Sequence, residues 1–393
     1  MNVIVIWQSL VVSAYRSFWI HAARALKGKV CAVVPHEFWE LGGQMVPCAP
    51  FSDDWNAEIE THVLRVRAPH IQLVWFQGLV SVFRSFTHRF RNDSSSRPVL
   101  VALMEPYSPS ALFVFLLARI FLPRSTLILF YSLQNIYKEF SLPLRLIQNF
   151  IFQRSSHILA LSEEVSGVLR RQGFRGELVR FPLWADSSLF FLDASRAERG
   201  SRSENTSRVR VGFCGAVTES KGIVDLLDAL ELFSDTQLSA IHFEIAGGGP
   251  CLEPARNRLA ALGRKGLSFT LHGPLPATAL PEFFNSIDVL VVPSRTEKNW
   301  KEQFGRVIVE AWACGATVIG SNSGEIPVLL GQPELIFEER NPNALFQTLR
   351  NALSFEHNLD MRKKNAMRSQ PFLDVTLARR FADELLGIQR DKV

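Results

Sequence analysis

The chain has 393 residues, of which 47% are hydrophobic and 21% charged, and a formal net charge of +5. That length argues for two domains, and the composition is that of a globular protein with large cores, which excludes an unfolded chain. The cysteines at 31, 48, 214, 251 and 314 are odd in number and lack CxxC or Cys/His spacing; they read as reduced thiols of a cytosolic protein.

Taken in order, the first half alternates short apolar runs with helical patterns. Val3–Ile6, Val30–Val34, Leu73–Phe76, Val99–Leu103, Leu127–Tyr131 and Ile158–Ala160 are strand candidates, with amphipathic segments such as Ser17–Ala25 and Pro143–Phe152 between them. Met1–Ile6 runs straight into a strand without a basic start or cleavage site, so no secretory signal is expected. The most membrane-like stretch, Ala111–Tyr131, is cut by Arg119, Pro123 and Arg124 into pieces too short to span a bilayer. It reads as a core helix, Ser110–Phe121, followed by a buried strand. From Thr61 to Trp184 there are 15 Lys/Arg against 6 Asp/Glu, a surplus that suits an acidic ligand, nucleic acid or an anionic membrane face. The expected location is the cytoplasm, with the inner membrane face as a peripheral site.

Phe190–Arg208 is polar around Arg199–Asn205 and reads as a linker. A second alternating series follows: strand Val209–Cys214, helix Gly222–Phe233, strands His242–Ala246, Leu267–Leu271, Val289–Val292 and Thr317–Gly320. Thr376–Ile388 is an amphipathic helix able to pack back on the first domain. The expected fold is α/β: two doubly wound, Rossmann-like domains with a cleft between them. Residues 1–188, joined by the helix 374–393, form one; 189–208 link; 209–373 form the other.

The stretch Ser294–Ile326 organises the second half. Glu302 and Glu310 stand eight positions apart, the first in a loop after a buried strand, the second on the apolar helix that follows. At that sheet edge, helix N-termini offer unpaired N–H groups to anions. Lys221, at a helix start after Gly215, adds a charge that suits phosphate. Gly247-Gly248-Gly249 and Gly324-Glu325-Ile326-Pro327 are small-residue loops at strand ends. In the first half, Met104–Tyr107 and Gln134-Asn135 each follow a strand; the amide pair reads equally as a helix cap or a site element. Trp7, Trp39, Trp75 and Trp184 suit core packing better than sugar stacking, and His36, His157 and His272 lack metal-ligand spacing.

In combination, residues 209–330 resemble the retaining glycosyltransferases of family 4, of GT-B architecture. The resemblance rests on Gly215…Lys221-Gly222, Gly247–Gly249, His272-Gly273-Pro274, Val292-Pro293-Ser294, Glu302 through Glu310 as the family's E-x7-E, and Gly324-Glu325-Ile326-Pro327. Tyr131–Lys138 and Ala160–Glu164 are similar to a bacterial subgroup that builds surface polysaccharides. The resemblance implies a donor site of Gly215, Lys221, Gly249, Gly273, Glu302, Phe304, Gly305, Arg306 and Glu310. Lys221 would bind the donor diphosphate, Glu310 the ribose, Glu302 the transferred sugar, and amides around Phe304-Gly305 both sugar and phosphates. Ala216 stands where many relatives have arginine, so Arg306 is a candidate second cation. Gln134-Asn135 replaces a histidine common in the family, making Asn135 the candidate catalytic contact of the first domain beside Glu302 and Lys221.

The expected activity is metal-independent transfer of a hexosyl unit, with retention, from a nucleoside-diphosphate sugar to a lipid-linked or glycan acceptor. No cofactor and no metal are expected, because no Asp-x-Asp pair is present. An anionic membrane surface is a candidate partner; nucleic acid is not. The alternatives are a non-catalytic subunit that binds nucleotide sugar and a nucleotide-sugar epimerase of the same fold; a phosphorylase lacks support because no pyridoxal lysine segment is visible.

Overall fold

Short aliphatic runs bounded by polar turns form two all-parallel sheets. The computed structural model describes residues 1–39, 45–67, 74–91, 97–195 and 208–390. These fall into two compact units, Met1–Pro182 with Asp374–Val393, and Leu183–Leu373. The centre of the expected linker, 196–207, lies outside the described residues.

The strands of unit 1 are β1 (Val3–Ile6), β2 (Val30–Pro35), β3 (Ile59–Leu64), β4 (Val99–Ala102), β5 (Leu127–Ser132), β6 (His157–Ala160) and β7 (Glu177–Arg180). They lie in the order β7-β6-β5-β4-β1-β2-β3, every neighbour parallel. β1 and β4 are buried at every position, as a strand covered by helices on both faces must be. The run Leu73–Phe76 does not join this sheet. Of its described part, Val74–Phe76, Trp75 and Phe76 pair antiparallel with Val66–Arg67, and Leu73 is outside the described residues. The place at the edge is taken by β3, whose mixed sequence Ile-Glu-Thr-His-Val-Leu has only one face to bury.

Helix Pro109–Phe121 begins where Ser108 Oγ accepts from Ala111 N at 3.1 Å and ends at Leu122, extended before Pro123. Among the described residues no helix is long and apolar enough to cross a membrane. Helix Asp374–Arg390 packs against helix Ser17–Leu26. There Phe381 meets Phe18, Trp19 and Phe181 at ring-centroid distances of 5.7, 5.9 and 5.1 Å.

Unit 2 contains β8 (Val209–Cys214), β9 (Ile241–Ala246), β10 (Ser268–Gly273), β11 (Val289–Val292), β12 (Thr317–Ser321) and β13 (Ile336–Phe337). Their order is β10-β9-β8-β11-β12-β13, parallel throughout. The chain winds outward one way from β8 and the other way from β11. Loops leaving those two strands therefore part, and the crevice between them is where ligands of doubly wound sheets bind. Behind it, buried Arg362 donates to the carbonyls of Asn285, Ile287 and Cys314 at 2.9–3.1 Å, tying helix Leu359–Ser369 beneath the sheet.

Removing the ring of Phe381, 2% exposed, leaves a cavity that three aromatic neighbours cannot fill. Phe381→Ala should destabilise unit 1 by about 3–5 kcal/mol, read as an earlier denaturant transition of that unit. A shift below about 1 kcal/mol would show that the terminal helix contributes little to its stability.

Candidate active site

Three loops meet at the carboxyl ends of β8, β11 and β12. After β8, Thr218 Oγ1 accepts from Lys221 N at 3.4 Å and caps a single turn, Glu219–Lys221. Gly222 follows at φ 73°, and a Cβ there would stand 1.7 Å from the Pro293 carbonyl oxygen. Only glycine permits both that conformation and that approach. Arg295 N donates to Ser220 O at 2.8 Å, while the Arg295 guanidinium grips Asp225 with two bonds of 2.7 and 2.6 Å. The lysine turn is thus fastened to the loop after β11.

That loop carries Glu302. Lys221 Nζ donates to Glu302 Oε2 at 2.6 Å, and Ser294 Oγ to the same oxygen at 3.0 Å. Lys221 Nζ also lies 4.6 Å from the centroid of the Trp300 ring, a cation–π contact. From the other side Glu325 N donates to Glu302 O. A Cβ on Gly324 (φ 55°) would stand 1.9 Å from that same carbonyl oxygen. Thr296 and Ser323 hydroxyls meet at 3.0 Å. Backbone thus rests on backbone on both sides of the carboxylate.

Gly305, at φ 85°, starts helix Arg306–Ala313. Phe304 is 1% exposed, its ring edge-on to Phe372, so its backbone is the part available to a ligand. Arg306 Nε meets Glu310 Oε1 at 2.9 Å. Burial pushes the Glu310 carboxyl above its usual range, and Arg306 acts in the opposite direction. The Cys214 thiol at the end of β8 is pushed up to about 12, chiefly by burial and further by Glu310; such a thiol is inert. Gly215 and Gly249 lie in the loops that follow β8 and β9, and Gly273 ends β10. The loops run side by side, with Gly215 N donating to Ala246 O and Val217 N to Gly248 O. His272, one residue before Gly273, bonds the buried Glu244 carboxylate at 2.8 Å.

Of the residues singled out in sequence, Lys221, Glu302, Phe304, Gly305, Arg306 and Glu310 share the β8–β11 edge of unit 2. Arg306 serves Glu310 there, whereas Lys221 serves Glu302. Asn135 stands on unit 1. No helix starts at Gln134-Asn135; the next begins at Leu142, and Gln134 Nε2 donates to Ile136 O instead. This loop is clamped by Glu105, which accepts from Ser132 Oγ and Leu133 N, each at 2.7 Å. Burial lifts the Glu105 carboxyl to about 7 against the pull of those donors. Sequence reasoning passed over Trp300 and the Asp225–Arg295 pair, and placed Glu105 at a strand end without a partner. Long-range pairs carry no local spacing by which to find them. Among the described residues no group of three or more His, Cys, Asp or Glu is disposed to hold a metal ion.

Residues 208–354 match the family described as Glycosyl transferases group 1. The 2-deoxystreptamine N-acetyl-D-glucosaminyltransferase of Streptomyces fradiae is 29% identical over 147 residues, 37% of this chain and 34% of that protein. The D-inositol 3-phosphate glycosyltransferase of Corynebacterium jeikeium is 29% identical over 173 residues, 41% of this chain and 40% of that protein. The match thus spans less than half the length of these curated relatives. Over whole chains the likeness is one of fold. Sucrose-phosphate synthase of Thermosynechococcus elongatus superposes with a TM-score of 0.66 at 17% identity, covering 100% of both chains. Anabaena HepE in complex with UDP and glucose gives 0.67 at 15% identity, covering 98% of this chain and 99% of that one. The two Rossmann-like units are those of the GT-B fold.

The pair of Arg306 with buried Glu310 has a pH signature. The Glu310 pKa is raised in the folded state, so keeping this group ionised costs stability as pH rises through the folded value; Arg306 offsets part of that cost. Arg306→Gln should destabilise unit 2 by about 1–3 kcal/mol at pH 8. The loss should shrink as the pH is lowered and Glu310 takes up its proton. Urea unfolding of both proteins from pH 8 downward measures it, and a loss independent of pH would mean that Arg306 acts through packing alone.

Proposed function

We propose that the chain is a retaining glycosyltransferase of family 4 that moves a hexosyl unit from a nucleoside-diphosphate sugar to a lipid-linked or glycan acceptor. The observation that carries this reading is the Lys221–Glu302 ion pair at the β8–β11 switch point, followed four residues along the chain by Arg306, which pairs with buried Glu310. A diphosphate offers negative charge to Lys221, and the adjoining sugar offers hydroxyl donors to Glu302. One ligand therefore satisfies both members of the pair. Departure of the nucleoside diphosphate needs its growing charge neutralised, and Lys221 with the amides at the start of helix Arg306–Ala313 supplies that. Glu310 receives the ribose hydroxyls, each carboxylate oxygen accepting one bond. A UDP-sugar is the first donor to test, because HepE of this fold is described with UDP and glucose. Surface-polysaccharide assembly, with the acceptor at an anionic membrane face, is the setting in which the basic surplus of residues 61–184 is useful.

The two carboxylates should fail differently. Glu310→Gln removes a charged acceptor far from the reacting bond and should cost about 1.5–3 kcal/mol of donor binding, read mainly in KM. Glu302→Gln removes a contact to the sugar being transferred and should lower kcat by ~10²-fold or more, while free nucleoside diphosphate still binds. Donor kinetics and diphosphate titration of both variants decide; loss of diphosphate affinity in Glu302→Gln alone would exchange the two roles.

Transfer should also persist in EDTA, because a lysine and helix N-termini are assigned the charge that a divalent ion carries in metal-dependent transferases. Activity abolished by chelator and restored by Mg²⁺ or Mn²⁺ would refute this assignment.

A further inference from the structure

In unit 1 the ladder between β4 and β5 ends at the pair Ala102 and Phe130. Three residues beyond each stand Glu105 and Leu133, and there a side chain takes over from the backbone. Glu105 Oε1 accepts from Leu133 N and Oε2 from Ser132 Oγ, each at 2.7 Å. The Gln134 amide is a third donor to this carboxylate. Such lengths are those of charge-assisted bonds, and a carboxylate has acceptor sites for all three donors.

Glu105 is itself firmly mounted. Ser108 N donates to Glu105 O at 2.9 Å, and Ser108 Oγ caps helix Pro109–Phe121. The same turn holds the far end of the loop, because the Tyr107 ring stacks on Phe140 with centroids 4.1 Å apart. On the other side of β5, Leu161 N donates to Ser132 O at 3.1 Å, and the Arg171 guanidinium lies 3.9 Å from the centroid of the Tyr137 ring. Between these fixed points Gln134 and Asn135 are 8% and 5% exposed. They stand at the carboxyl edge of the sheet, the side on which doubly wound units take ligands.

We propose that Glu105 is a positioning residue for glycosyl transfer: it ties loop 133–140 to the start of helix Pro109–Phe121 and so sets the place of Asn135. This rests on the transferase reading above, with Asn135 as the contact from the first domain. An amide at position 105 keeps one acceptor atom and turns an NH₂ group towards the loop's own donors, so Glu105→Gln preserves shape and loosens the tie. Lys138 on the loop favours the ionised carboxylate. Tyr107 and Tyr131 beside it, both pushed up by burial, stay neutral.

The first measurement needs no substrate and is made on the full chain. Burial lifts the Glu105 carboxyl to about 7, so the pH is held well above that value. Hydrogen exchange of the peptide spanning 131–140 should be about tenfold faster or more in Glu105→Gln than in the parent. Unchanged exchange in the remaining strands verifies that the variant is folded. The second measurement uses UDP-glucose, scored as UDP released. In Glu105→Gln kcat should fall about 10- to 100-fold, the scale of a reacting contact displaced by about an ångström. KM, set by the donor loops of unit 2, should hold within about twofold. Asn135→Ala supplies the discriminating background: there Glu105→Gln should cost less than about twofold more, because residues acting through one another are not additive. Unaltered exchange of 131–140, an unaltered kcat in Glu105→Gln, or its full loss repeated on top of Asn135→Ala overturns the proposal. A parent chain that turns over no nucleoside-diphosphate sugar overturns the transferase reading instead, and the exchange measurement still decides whether Glu105 holds the loop.

Discussion

The Glu302 and Pro293 carbonyl groups set the terms for everything else at the edge of unit 2. Each is met by the backbone of a neighbouring loop at a distance that leaves no room for a side chain, at Gly324 and Gly222 respectively. Loops of ordinary composition would be held apart by their Cβ atoms. Here they close to backbone contact, so the lysine turn, the carboxylate loop and the Gly324 loop behave as one body. The Lys221–Glu302 bond of 2.6 Å is a consequence of that closure: a long, flexible amine is delivered to a fixed carboxylate. Asp225–Arg295 locks the arrangement from behind.

Two electrostatic regimes coexist within this body. Lys221 and Glu302 are 29% and 12% exposed at the side chain, so their attraction is moderated by solvent and can be exchanged for a ligand's. Glu310, at 4%, is desolvated and depends on Arg306. Burial around it silences the Cys214 thiol as well. The two cations are exposed alike, Lys221 at 29% and Arg306 at 28%, so the difference between the pairs lies in how deeply each carboxylate is buried. In unit 1 the buried Glu105 carboxyl plays a fixed role of its own, joining the end of β4 to the loop after β5.

Much of this was legible in the chain. Central strands such as Val99–Ala102 and Val289–Val292 are continuous aliphatic runs because both faces are buried, and such runs are conspicuous. Edge strands were missed for the converse reason. Ile59–Leu64 and Glu177–Arg180 bury one side only, and their polar residues disguise them. Leu73–Phe76 was assigned to the sheet on its hydrophobicity, yet Trp75–Phe76 belongs to a two-stranded ribbon, since pairing partners are a matter of register. At the candidate site, Glu302 and Glu310 stood out through their setting between strand and helix. Trp300, Ser294 as a donor to Glu302, and the clamp of Glu105 on Leu133 did not.

The sequence by itself determined the alternation of strand and helix, the division into two parallel-sheet units, and the glycine, lysine and carboxylate positions along the second of them. These follow from periodicity, turn residues and spacing, which are local properties. Tertiary structure alone decided which charges meet. Lys221 meets Glu302 across a separation of 81 positions, a pairing that no local spacing encodes, while Arg306 turns to Glu310 four positions on. Strand order is settled by how helices cover both faces, and no local pattern encodes it.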